Sequence, residues 1–314
     1  MKTYPCLASC VSWFLLATLW SAVPVCGSTV LGFQKSGNVG YELVGFGQPS
    51  TNSAFSGNVF LGTMPPGATI EYAAVYTNDF RGPTSGGGAI DVSLKDPAMT
   101  TTGLASNQSP TSQSPNPGGL AFGWEIPVNP LSIIGNGVYT ISVNPNFFNG
   151  NANQMAGAGL LVVFSDPTLP LSTVTVMHGV EFLDNSSGLF PSASASFPET
   201  GTSTIGAGAG QLSILTFGDD MFDPPMSPNE LVQFNGSTVH TGLDGNLNPN
   251  ASIVTANVTT VAGHNANTAT VTAGGDVFSW HVAVLQSTIP EPGSALLALL
   301  GIGAMMSRRR RQAG

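Results

Sequence analysis

Four histidines and seventeen acidic residues are the side chains from which this 314-residue chain could build acid–base or metal chemistry. His178 and Glu181 form a His-x-x-Glu pair. Their surroundings read as a strand, where an odd separation sets two side chains on opposite faces. The pair shares a metal only if Gly179 opens a bulge or bend; otherwise both are structural. His281 alternates beside Trp280 in an apolar run and reads as structural too. The densest acidic cluster is Asp219-Asp220-Met221-Phe222-Asp223-Pro224-Pro225, with Glu230 downstream. Asp219, Asp220 and Asp223 could supply the hard oxygen ligands that calcium takes, and Asp and Pro equally build turns. Asp244, Asn246 and Asn248 open like a calcium loop, but Pro249 stands where glycine is needed and Thr255 where the closing glutamate belongs.

Nucleophilic chemistry finds little support. Gly201-Thr202-Ser203 is followed by Thr204 and Ile205, so no Gly-x-Ser-x-Gly elbow forms. No His-Glu-x-x-His, phosphate loop or dinucleotide fingerprint occurs. Paired carboxylates for glycoside hydrolysis meet only in three dimensions, and no pair stands out. Trp124, Trp280, Tyr76 and Phe147-Phe148 could stack on a sugar, although in a β-sandwich such residues are usually core. Thr268, Thr270 and Thr272 form a short hydroxyl row that ordinary β-propensity explains without ice binding.

The elements that must position these residues are strands. Short apolar segments are broken every 10 to 15 residues by Gly, Asn, Ser, Thr and Pro. Alternation predicts strands over 29–34, 41–46, 58–61, 68–77, 89–95, 121–126, 138–143, 159–165, 172–182, 211–217, 230–234, 253–261, 268–273 and 277–286. Within 68–77, Ile70, Tyr72, Ala74 and Tyr76 are expected on one face. No 3.6-residue pattern competes between 28 and 288, so the expected fold is an all-β sandwich or jelly roll. The stretch 99–119 is nearly all Thr, Ser, Gln, Asn, Pro and Gly and reads as a long polar loop; 190–210 is similar.

Charge excludes one class of partner. Between 28 and 288 the only basic residues are Lys35, Arg81 and Lys95, against sixteen Asp and Glu, a net charge near −13. Phosphate contacts need Lys and Arg, so nucleic acid is not a partner. Cys6, Cys10 and Cys26 all precede residue 28, which leaves the body without a thiol or disulfide.

The two ends read as addresses. Lys2 begins a basic n-region, 11–25 is largely apolar, and Val25-Cys26-Gly27 ends in a small residue before Ser28. That is a secretory signal over 1–27. At the other end, Pro290-Glu291-Pro292 precedes the apolar run 295–306 and the basic stop Arg308, Arg309, Arg310 and Arg311. A helix of that run spans about 18 Å against a hydrocarbon core of about 30 Å, the reach of a temporary anchor. The arginines hold its end on the cytoplasmic side.

This order of parts resembles the PEP-CTERM sorting signal of bacterial envelope proteins, over 289–314. The resemblance implies an exosortase-type transpeptidase as partner, cleavage at or near Pro290-Glu291-Pro292, and an envelope linked to exopolysaccharide. More loosely, 157–184 and 267–284 resemble the core strands of bacterial and archaeal surface β-sandwich modules of unassigned function. The combined expectation is an exported, non-catalytic all-β ectodomain of structural or adhesive type, between a signal helix and a short transmembrane helix. The alternative is a carbohydrate-binding module or glycan hydrolase of the extracellular matrix.

Overall fold

A computed structural model describes residues 29–51, 53–79, 89–116, 119–146, 155–185, 188, 190–201, 203–218, 230–243, 250–274 and 277–289. The expected signal segment and the sorting tail, with Pro290, Glu291, Pro292 and Arg308, Arg309, Arg310 and Arg311, lie outside them. Within them, one 3-10 turn (Pro130–Ser132) interrupts an otherwise all-strand chain.

The strands form four layers. A first outer sheet has the order β2 (Phe55–Leu61), β8 (Gly137–Asn146), β4 (Ala89–Lys95), β5 (Thr101–Gln108). It covers a first inner sheet of β1 (Val30–Thr51), β9 (Met155–Ser165), β3 (Thr69–Asp79), β7 (Gly119–Pro127) and β6 (Ser112–Asn116). A second inner sheet runs β15 (Ala251–Thr260), β12 (Gly208–Phe217), β17 (Val277–Thr288), β10 (Leu171–Asp184), β1. A second outer sheet of β11 (Ser192–Phe197), β16 (Asn267–Thr272), β13 (Leu231–Phe234) and β14 (Ser237–Thr241) covers its far face. Every described ladder is antiparallel.

β1 joins the two inner sheets. Its first half, through Asn38, pairs with β10, and from Val39 onward it pairs with β9. Gly37 sits at the crossing with φ +139°, a value that glycine adopts without strain. At 22 residues β1 exceeds the ordinary strand because it serves two sheets.

Three apolar layers hold the stack. Trp124, Tyr139, Leu61 and Ile126 fill the first sandwich; Trp280, Phe278, Phe197 and Phe234 fill the second. Between the inner sheets, Leu161, Val163, Val174, Val176, Val282 and Val284 form a third core. The seam is close-fitting: a Cβ on Gly159 of β9 would lie 2.6 Å from Leu215 Cδ2 of β12. Polar bonds also cross it, as Tyr41 Oη to Ser213 Oγ at 2.8 Å and Gln286 Nε2 donating to Val39 O at 3.1 Å. β9, β10 and β17 are buried on both faces; β9 accordingly runs apolar without alternation, whereas β10 and β17 also bury Thr, Ser and His.

Four expectations change. The polar stretch 99–119 carries β5 and β6, which are edge strands paired only to β4 and β7. An edge needs one ladder to satisfy its backbone and little apolar surface, so composition alone reads it as loop. The same holds for β11 within 190–210. The segments expected at 29–34 and 41–46 are one strand. Ile70 packs in the first sandwich while Tyr72 and Tyr76 face the seam, because the β3–β9 register slips between Ile70 and Tyr72. β14 completes the second outer sheet without a clear apolar signal.

Candidate functional site

The seam opens into one cavity of about 250 Å³, bordered by Tyr76, Ser112, Gln113, Glu125, His178 and His281 among others. β7 alternates, so Phe122, Trp124 and Ile126 enter the first sandwich while Ala121, Gly123 and Glu125 look across the seam. Opposite them, β10 presents His178 and β17 presents His281.

Glu125 is the hub. One carboxylate oxygen accepts the Tyr72 hydroxyl and the other meets His178 Nδ1. Since Tyr72 donates to Glu125, Tyr76 Oη, 3.1 Å away, donates to Tyr72 Oη. Both phenols are held protonated well above their ordinary range, by burial first and by the Glu125 charge among the further causes. The result is a hydrogen-bonded chain Tyr76–Tyr72–Glu125–His178 that ties β3 and β7 of one sheet to β10 of the other.

His281 differs. It is 1% exposed, its Nε2 lies 2.6 Å from Ser279 Oγ, and Phe217 meets its ring edge-on. Burial pushes its pKa down to about 3, so the ring is neutral. The unfolded chain therefore takes up this proton first as pH falls, and stability present above about pH 6.5 is lost toward pH 3. Unfolding free energy is expected to fall by up to about 1.4 kcal/mol per pH unit across that window. Denaturant titrations of the parent and of His281→Gln should differ in this slope; equal slopes would refute the assignment.

The bend imagined at Gly179 is present, since the β10–β17 register slips between His178 and Glu181. The two side chains nevertheless part. His178 joins Glu125 across the seam, and Glu181 Oε1 accepts the Thr29 amide at 3.2 Å. Among the described residues no three His, Cys, Asp or Glu gather as a metal-ligand set. Asp219, Asp220 and Asp223, the loop from Asp244 to Asn248, and Phe147-Phe148 lie outside the described residues. Trp124, Trp280 and Tyr76 are buried and form no exposed stacking platform, although Tyr76 and Trp124 border the seam cavity. Thr268 and Thr270 face outward, with hydroxyls 3.3 and 2.8 Å from Ser196 and Ser194 of β11.

A second, open groove of about 680 Å³ lies against the first outer sheet, bordered by Asp91, Ser93, Ser106, Ser142 and Asn144. Asp91 is held below its ordinary pKa, first by the Asn107 amide that donates to it at 2.7 Å.

Glu125 and Tyr72 were not singled out in sequence. The available signal was a lone carboxylate inside the apolar run from Ala121 to Ile126. Its partner His178 stands 53 residues away, a separation that no local pattern spans.

No family model matches the chain, and no curated protein matches it. Among solved structures, it is similar to a peptide-N(4)-(N-acetyl-β-D-glucosaminyl) asparagine amidase at 10% identity, with 80% of this chain and 97% of that one covered and a TM-score of 0.28. It is similar also to the major capsid protein P2 of bacteriophage PM2, at 10% identity, 80% and 99% coverage and a TM-score of 0.21. Likeness of this depth carries neither activity nor assembly to this chain.

Proposed function

We propose that the protein is an exported cell-envelope protein of structural or adhesive kind, without catalytic activity, sorted through Pro290-Glu291-Pro292. The observation that supports this reading is where the tail meets the body. β17 leads to it, and Ile289 N–H still donates to Leu171 O at 2.9 Å, so the ladder runs to the residue before Pro290. Proline has no N–H with which to continue a ladder. β17 is an interior strand, bonded to β10 on one side and β12 on the other. A pull on the tail therefore loads two antiparallel ladders along their length, and the third core behind them.

An anchored surface module needs that attachment. Its partners on this reading are an exosortase-type transpeptidase, the membrane during sorting, and extracellular polysaccharide. Fractionation of cells expressing the full chain and a chain lacking 290–314 tests the sorting. The full chain should accumulate at the envelope and become protease-accessible from outside, and the shortened chain should lose that retention. Equal distribution of the two would overturn the sorting claim, and turnover of an extracellular glycan by the purified protein would overturn the non-catalytic one.

A further inference from the structure

We propose that the seam cavity binds one neutral, hydroxyl-bearing ring, a single sugar residue either free or at the end of a glycan. This goes beyond the structural role above and does not depend on the sorting tail.

The cavity is a built feature. Three ladders lose their regular register around it: β1 between Leu31 and Phe33, β10 against β17 after His178, and β12 against β17 opposite His281. Bulges re-aim side chains and concentrate beside functional sites. Glycines keep the space open. A Cβ on Gly32 would come within 3.0 Å of the His178 ring, and one on Gly123 within 2.8 Å of Ser112 Oγ and 3.2 Å of His281 Nδ1.

The second observation is a ring nitrogen, on a buried residue that lines the cavity, with no partner among the described residues. His281 spends Nε2 on Ser279, while Nδ1, against the bare face of Gly123, has no partner among the described residues. A ring nitrogen at a cavity wall with no protein partner takes its hydrogen bond from what fills the cavity, a ligand or water.

Charge and size define the ligand. Both Glu125 oxygens are already engaged, by Tyr72 and His178, and no Lys or Arg borders the cavity among the described residues. The remaining polar side chains of the described lining include the neutral Thr111, Ser112, Gln113 and His281. Such a set matches hydroxyls, which donate and accept, and gives an anion nothing to pair with. A volume of about 250 Å³ falls below the range of about 300–1,000 Å³ typical of drug-sized sites, which limits the occupant to about one ring.

The test is calorimetry on the full chain in detergent, with glucose, galactose, N-acetylglucosamine and glucuronate as probes. In parallel, 15N-histidine labelling follows the His281 ring. At least one neutral sugar should bind saturably, one per chain, and shift the His281 resonance, while glucuronate should not. Gly123→Ala puts a methyl into the cavity and should weaken binding about tenfold or more, about 1.4 kcal/mol. Should that variant fail to fold, Gln113→Ala, at an exposed rim position, should still weaken binding measurably. A disaccharide ending in the preferred sugar separates the sources: equal affinity for it assigns a glycan end, and loss of affinity assigns the free sugar. The proposal fails if no neutral sugar binds saturably, if glucuronate binds as well, if His281 does not shift, or if the foldable variants bind like the parent. Cavity variants that lose sugar but stay at the envelope would leave the sorting reading intact.

Discussion

Trp280→Ala is expected to cost about 3–5 kcal/mol of folding stability, measured by denaturant unfolding. The indole is 0% exposed, packs in the second sandwich, and donates Nε1–H to Val282 O at 3.1 Å. Alanine removes this volume from between two hydrogen-bonded sheets, which limits how far the walls can collapse into the void. Against a domain stability of about 5–15 kcal/mol, the loss consumes much of the margin. A shift below about 1 kcal/mol would mean that the second sandwich is not packed as described.

Gly157→Ala is expected to lose about 3 kcal/mol or more, with failure to accumulate as the extreme result. Gly157 has φ +157°, and its Cβ would fall 2.2 Å from Phe46 O and 3.0 Å from Gly47 Cα. These atoms belong to the β1 backbone, which is fixed in the ladder with β9, so neither can retreat as the tip of a flexible side chain would. The β1–β9 register slips just beyond this point, between Gly47 and Thr51. Gly67→Ala is the control. Its φ of +79° strains the backbone, but nothing lies within 4 Å of the added methyl, so its loss should be smaller. Equal losses at the two positions would show that backbone strain, not the β1 contact, sets the value.

Between these extremes lies the seam, which joins two sandwiches through β1 and buries the apolar inner face of each. Its apolar valines supply burial, while Glu125, Tyr72 and His178 fix how the inner sheets face each other. A polar network in an apolar seam stabilises little by itself, because its members are desolvated. It does penalise any docking that leaves Glu125 unpartnered.

Local chemistry made several features legible from the sequence. Alternation in 89–95 fixes both the strand and its inward set, Ile90, Val92 and Leu94. The continuous apolar run of β9 marks a strand covered on both faces. The shortage of Lys and Arg and the absence of thiols from 28 to 288 follow from counting. Edge strands escaped the same reading: β5 and β6 bury little, and their order comes from backbone pairing that side-chain composition does not record.

The sequence by itself determined that this chain forms exposed and buried strands, which faces most of them bury, and which chemistries its residues cannot supply. Only the tertiary structure decided which strands meet. β1 pairs with residues more than a hundred positions away, and Glu125 of β7 finds His178 of β10 through a seam between sheets. The physical reason is that side-chain period is a local property, readable over a few residues. The choice of partner strand is made by the burial of whole faces, and a bulge at Gly32 or His281 redirects a side chain through backbone geometry that no neighbouring residue announces.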